Sequence, residues 1–187
     1  MNGIDDLISD ASRRMDKSVE STQVEFNTVR TGRASAALLD RISVDYYGQK
    51  TPLQQLATIN VPEPRMLTVQ PFDPSSIKEI ERAIQESELG LTPSNDGKVI
   101  RLPIPQLTEE RRKDLVKIVR QIAEDGKVAI RNVRRDADKH LKELKTKGDV
   151  GEDDERRAEE RVQKLTDEHT SKIDELLKRK ETEITEV

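Results

Sequence analysis

Apolar residues recur at intervals of three and four through the first thirty positions, at Ile4, Ile8, Ala11, Met15, Val19, Phe26 and Val29, with Thr22 filling the gap before Phe26. That spacing predicts one amphipathic helix. The pattern returns after Pro105, where Leu115, Ile118, Ile122, Ala129, Val133, Ala137, Leu141 and Leu144 form a stripe. Thr108 suits an N-cap there, and Glu109 and Glu110 suit the positive end of the helix dipole. "KGDVGEDDE" predicts a turn, with Gly148 as helix stop and Asp149 and Glu152 spaced like an acidic capping box. A third stripe follows through Ala158, Val162, Leu165, Ile173, Leu176 and Ile184. The second and third helices would each be about 50 Å long and the first about 40 Å. Helices of that length with one apolar stripe each are stable only when the stripes are buried together, so an elongated antiparallel three-helix bundle is expected.

Between the first and second helices the pattern changes. All eight prolines lie between Pro52 and Pro105. "RISVDYYG" and "RMLTVQP" have the alternating, β-branched look of short strands, and "NDGKVIRLP" places an Asp-Gly turn before another. "DPSSIKEIERAIQESELG" reads as a short helix, with Asp73 as N-cap, Pro74 at the first turn, Ile77, Ile80 and Ile84 on one face and Gly90 just past the end. The fold class is therefore α+β, with 1–30 and 106–187 forming the bundle and 31–105 a small inserted β/α/β domain. Two short crossings, "RTGRAS" and "LPIP", join the parts and permit a hinge.

Composition narrows the class. Charged residues make up 37% of 187 and aromatics 2%, so the chain lacks a thick globular core, while its periodicity argues against disorder. No cysteine is present, which excludes disulfides and thiolate chemistry and fits a reducing compartment. "MNGIDDLISD" has no basic or apolar leader region, and no run approaches a membrane span, so a cytoplasmic protein without membrane contact is expected.

Charge is sorted by helix. The chain carries a net charge of -4, yet residues 106–147 hold 13 lysines and arginines against 8 acids, while 148–187 hold 8 against 14. At 100° per residue, Lys113, Arg120, Lys127, Arg131, Arg134, Lys142 and Lys145 fall within about 40° of one line, with the apolar stripe expected on the far side. Asp138 on the line and Glu124 beside it interrupt the row. A row of cations on a rigid helix matches a phosphate backbone. It equally suits a solvated face paired with the acidic third helix, and the residues leave both readings open. A folded RNA fits better than a DNA groove, since neither a helix-turn-helix nor a zinc-finger pattern is present. Of the adjacent Tyr46 and Tyr47, one is expected to pack in the small core and one to face out.

Catalytic constellations are not evident. His140 and His169 fall near the apolar registers of their helices without metal-ligand spacing, and are expected as satisfied interface residues. "EDDE" at 152–155 lacks the pattern of a calcium loop, and neither a P-loop nor a nucleophile elbow occurs. No enzyme, metal or cofactor is expected.

Taken together, "VRTGRAS" (29–35), "DYYG" (45–48), "TPLQQLA" (51–57), "LTEERRKDLVK" (107–117) and "VAIRNVRRDA" (128–137) resemble the ribosome recycling factor family over essentially the whole chain. The resemblance implies an L-shaped, hinged translation factor, a monomer, that binds large-subunit ribosomal RNA. With elongation factor G and its GTP, such a factor splits post-termination ribosomes into reusable subunits. It also implies rRNA contacts at Arg131 and Arg134, assisted by Arg112, to which the cation row adds Lys113, Arg120 and Lys127. Arg30 and Arg33 would lie near the hinge, and Thr31, Gly32, Ile104 and Pro105 would form it. Many members read "RTGRASP"; Ala36 stands at that proline here, which is expected to loosen the hinge exit. The rival reading is a coiled-coil scaffold that dimerises and gives the insertion no role.

Overall fold

The computed structural model describes residues 3–186. Three long helices carry the chain's ends: α1 (Ile4–Asn27), α4 (Glu109–Thr146) and α5 (Glu152–Thr185). At 24, 38 and 34 residues they extend about 36, 57 and 51 Å. The chain divides into two compact units, one running up to Arg30 and from Glu110 to Glu186, the other Thr31–Glu109. Among the described residues no helix is long and apolar enough to cross a membrane.

The helical unit buries one face of each helix. From α1 these are Leu7, Ile8, Ala11, Met15, Thr22 and Phe26; from α5, Ala158, Val162, Thr166, His169, Ile173 and Ile184. Helix α4 contributes Leu115, Val119, Ala123, Gly126, Ile130, Val133, Ala137 and Leu141. The expected α4 stripe is thus correct at Leu115 and from Val133 to Leu141 but misplaced between them. Ile118 is 42% exposed and Ile122 and Ala129 only half-buried, because Val119, Ala123 and Gly126 supply the inward line. Small residues can face inward where helices approach closely. A Cβ on Gly126 would lie 2.2 Å from Thr22 Oγ1 on α1 and 2.9 Å from Ile173 Cδ1 on α5, so all three helices meet there.

Polar contacts tie the helices at defined points. His169 is 3% exposed, with Nδ1 2.7 Å from the Leu165 carbonyl and Nε2 2.7 Å from Asp16 Oδ1 on α1. Arg14 bonds Asp136 at 3.0 Å and Arg161 bonds Asp5 at 3.1 Å, linking α1 to α4 and α5. His140, expected as an interface residue, is instead exposed on α4. Gly148, with φ +78, ends α4 as expected, and the Asp149 and Gly148 amides donate to the Leu144 and Lys145 carbonyls. The acidic capping box does not form: Gly151, not Asp149, is the N-cap of α5, and no side chain caps the helix. Acids at 152–155 in its first turn complement the dipole instead.

The second unit opens with a 3-10 turn (Ala36–Leu39), followed by β1 (Ser43–Tyr46), β2 (Gln49–Pro52), α2 (Leu53–Leu56), β3 (Ala57–Glu63) and β4 (Met66–Pro71). A second 3-10 turn (Pro74–Ser76), α3 (Ile77–Glu86), β5 (Ser94–Asn95) and β6 (Ile100–Pro103) complete it. Strands β1 and β2 form a hairpin; the others form an antiparallel sheet in the order β3-β4-β6-β5. Alternation works as the pleat requires: Leu67 pairs with Leu102 and Val69 with Ile100, and all four are buried. Ile77, Ile80 and Ile84 from α3 close this core with Leu39, Val44 and Leu53. Asp73 caps the 3-10 turn, accepting from the Ser75 amide, rather than α3 itself. α3 ends at Glu86, where the Ser87 hydroxyl donates to the Ile84 carbonyl, four residues short of Gly90.

Candidate nucleic-acid interface

The expected rRNA-contacting residues Arg112, Lys113, Arg120, Lys127, Arg131 and Arg134 all lie on α4, where continuous helical pitch holds them in fixed relation. The inward line defined by the buried residues lies about 100° around the helix from the cation row, not on its far side. The row therefore flanks the packed face and runs along the seam with α5. This placement explains why Lys127, Arg131 and Arg134 are half-buried while Lys113 and Arg120 are exposed. Arg112 falls away from the row, nearly on the inward line. Its side chain is half-buried, and its Nε has no hydrogen-bond partner among the described residues.

Acids meet much of the row. Arg120 Nε donates to Glu181 Oε1 at 2.7 Å, and Lys127 pairs with Asp174, both acids coming from α5. Arg131 Nη1 bonds Glu124 Oε1 of its own helix at 3.1 Å. Arg134 Nη1 reaches Gln163 Oε1 at 3.4 Å, and near the row's end Lys145 lies 3.7 Å from Glu155. Partial burial raises the Asp138 carboxyl above its usual value, opposed by the charges of Arg134 and Lys142. The solvated-face reading of the row is therefore met in part: Arg120 and Lys127 pair with acids of the third helix, whereas Arg134 meets a neutral amide.

The residues expected at the hinge are placed in local detail. Thr31 is buried, and Gly32 has φ +77; a Cβ there would lie 2.9 Å from Leu107 Cγ, within the same unit. The Ala34 amide donates to the Pro64 carbonyl at 2.7 Å and the Ile104 amide to the Arg65 carbonyl at 2.8 Å. Ile104 packs against the core of the second unit. Arg30 is exposed, Arg33 half-buried and Pro105 exposed.

The second unit also carries an aromatic site. Tyr46 packs against its core and donates from its hydroxyl to Asp73 Oδ2 at 3.0 Å, which raises the phenol above its usual range. Asp73 is held low, first by its bond from the Ser75 side chain. Tyr47 is 80% exposed at φ +49 and meets Tyr46 edge-on at 4.6 Å between centroids. One tyrosine faces in and one out, as expected. Phe72, beside Asp73, is 66% exposed; its exposure was not anticipated, because strand alternation ends at Pro71.

The family model for ribosome recycling factor matches residues 22–185. The chain belongs to the ribosome recycling factor family. It is 54% identical over 187 residues to the ribosome-recycling factor of Rubrobacter xylanophilus, covering all of both chains. It is 58% identical over 182 residues to that of Halalkalibacterium halodurans, covering 97% of this chain and 98% of the relative. Among solved structures, a ribosome recycling factor in solution matches at TM-score 0.75 and 43% identity over the whole of both chains. A second match has TM-score 0.64 and 49% identity, covering 97% and 98% of the two chains. It comes from models of the Thermus thermophilus ribosome recycling factor and Escherichia coli elongation factor G on the E. coli post-termination complex. Membership places the chain in a family of translation factors.

Proposed function

We propose that this chain acts after termination, with elongation factor G and GTP, to split the ribosome into subunits for reuse. The observation that carries the proposal is similarity along the full chain to ribosome recycling factors, one of them described with elongation factor G on a post-termination complex. The chain supplies binding surface and leverage, and GTP hydrolysis belongs to its partner. It works as a monomer in the cytoplasm: α1, α4 and α5 bury their apolar faces against each other within one chain. Among the described residues, Val24, Ile118 and Val128 are the large hydrophobics exposed on these helices, too scattered for a coiled-coil seam.

Within this proposal the α4 row binds large-subunit rRNA, with Arg131 and Arg134 as its centre. Support comes from the sign-sorting of α4 and from a neutral partner at Arg134. Arg30, Thr31, Gly32, Arg33, Ile104 and Pro105 form the hinge region: the first four span the crossing between units at Arg30/Thr31, and Ile104 and Pro105 precede the one at Glu109/Glu110. The test follows light scattering of post-termination ribosomes on adding the protein, elongation factor G and GTP, each omitted in turn. A drop requiring all three is expected; no drop, with a known recycling factor active in parallel, refutes the function. Arg134→Ala should weaken binding to large subunits and flatten its salt slope by about one unit, as one phosphate contact is lost.

A further inference from the structure

The cations of α4 and the acids of α5 share a seven-residue spacing. Arg120, Lys127 and Arg134 are seven apart on one helix; Glu181, Asp174 and Asp167 are seven apart on the other, in reverse order. Seven residues are nearly two turns, so each set forms a straight row with rungs about 10 Å apart. The first two rungs are closed by direct ion pairs, Arg120 with Glu181 and Lys127 with Asp174. The third is not. Gln163, one turn from Asp167, turns its carbonyl to Arg134 at 3.4 Å and its amide to Asp167 Oδ1 at 2.9 Å. A neutral amide thus stands between the third cation and the third acid.

We infer that α5 is a built-in competitor for the phosphates that α4 binds, and that Gln163 is the specificity-determining residue that exempts Arg134 from it. This rests on the proposed RNA-binding role of α4. A carboxylate presents its oxygens to a guanidinium or ammonium much as a phosphate does, so Glu181 and Asp174 must be displaced before Arg120 or Lys127 can serve an RNA. Exchange of one anion for another adds little net affinity. Only an RNA whose phosphates match several rungs at once repays it, and nonspecific RNA does not. At Arg134 the uncharged Oε1 of Gln163 yields to phosphate without leaving a displaced α5 carboxylate beside it; the acid that Arg134 does feel, Asp138, belongs to its own helix and makes no direct bond to it. The acidic balance of α5 then tunes the row rather than simply solubilising the helix.

The test measures binding of the full chain to large ribosomal subunits, and separately to an unrelated double-stranded RNA, across a salt series. Glu181→Gln and Asp174→Asn should each tighten binding about two- to fivefold, the range of an exposed ion pair, and more for the unrelated RNA. Glu168→Gln on another face of α5 removes the same charge and should change binding less than about twofold. Gln163→Glu should weaken binding severalfold in the parent, yet have little effect in an Arg134→Ala background, because the rung it closes is gone. If Glu168→Gln matches the ladder variants, or Gln163→Glu acts equally in both backgrounds, overall charge explains the effect and the competitor role is overturned while the cation row stands. If Arg131→Ala and Arg134→Ala leave binding unchanged, the RNA-binding reading falls and the inference with it. Unchanged helical circular dichroism in every variant keeps these outcomes separate from misfolding.

Discussion

Gly126 offers the sharpest test of how the helical unit is packed. In an isolated helix Gly126→Ala would stabilise by about 1 kcal/mol, because alanine loses less conformational freedom. Here the new methyl would sit 2.2 Å from Thr22 Oγ1, 2.9 Å from Ile173 Cδ1 and 3.3 Å from Thr22 Cβ. Ile173 can retreat by rotating its terminal methyl, but Thr22 is buried and its hydroxyl donates to the Ser18 carbonyl at 2.8 Å. Relieving the contact means either parting α1 from α4 or turning that hydroxyl away from its acceptor. Overpacking costs about 1–3 kcal/mol and an unpaired buried hydroxyl about 1–3 kcal/mol. At the middle of either range, about 2 kcal/mol, the cost exceeds the propensity gain of about 1 kcal/mol, and a net loss of about 1 kcal/mol follows. Urea unfolding monitored by far-ultraviolet circular dichroism measures it. Thr22→Ala in the Gly126→Ala background should recover much of the loss, giving a favourable coupling of about 1 kcal/mol in the double-mutant cycle. A neutral or stabilising Gly126→Ala, or a strictly additive cycle, would show that the three helices do not meet at this glycine.

Ala36→Pro should raise stability by about 0.4–1 kcal/mol in thermal unfolding. Ala36 opens a 3-10 turn where proline is accepted, and Ser35 before it is already extended at φ -148, ψ 137. A loss would mean that the Ala36 amide or backbone is needed. Asp16→Ala removes the acceptor of buried His169 Nε2 and should cost about 1–3 kcal/mol, read by urea midpoint; an unchanged midpoint would dismiss the pair as a clip. Asp96 accepts from the Val99 and Lys98 amides and from Arg101, which holds its carboxyl down to about 2, the Val99 bond contributing most. Its folded value lies below the ordinary carboxylate value of 3.8, so its support of the β5–β6 turn is present above that pH and is lost as pH falls toward 2. The protection of the Val99 amide relative to an unstructured peptide at the same pH should fall over that interval in the parent, and Asp96→Asn should flatten the response.

Much of the architecture was legible because it is written in local spacing. Proline segregation marked where the long helices stop, Gly148 marked the α4 turn, and Ile77, Ile80 and Ile84 showed the buried side of α3. The elements that escaped are those whose pattern depends on partners elsewhere. Strand β3 leaves Thr58 and Asn60 to Glu63 exposed and carries a register shift between Asn60 and Glu63, so alternation does not announce it. Strand β2, "QKTP", has no buried residue and exists through its pairing with β1. The α4 stripe failed where Ala123 and Gly126 face inward: hydropathy favours Ile118 and Ile122, whereas the close approach of two neighbouring helices selects small side chains.

The inward line of α4 also decides where the cations lie. With the stripe drawn through Ile118, Ile122 and Ala129, the cations appear opposite the packed face, open to solvent. With it drawn through Val119, Ala123 and Gly126, they move to the seam with α5 and come within reach of its acids. The identity of the cations was readable from charge-sorting along one helix, but their partners were not. Pairing residue 120 with 181 and 127 with 174 requires the register between two antiparallel helices, which the turn at 147–151 sets only approximately. The same register places Gln163 at Arg134. In the sequence that residue is one polar position among many on α5. Next to a half-buried arginine in a row whose neighbours Lys127 and Arg131 are paired with acids, its neutral amide leaves Arg134 without a direct carboxylate partner among the described residues.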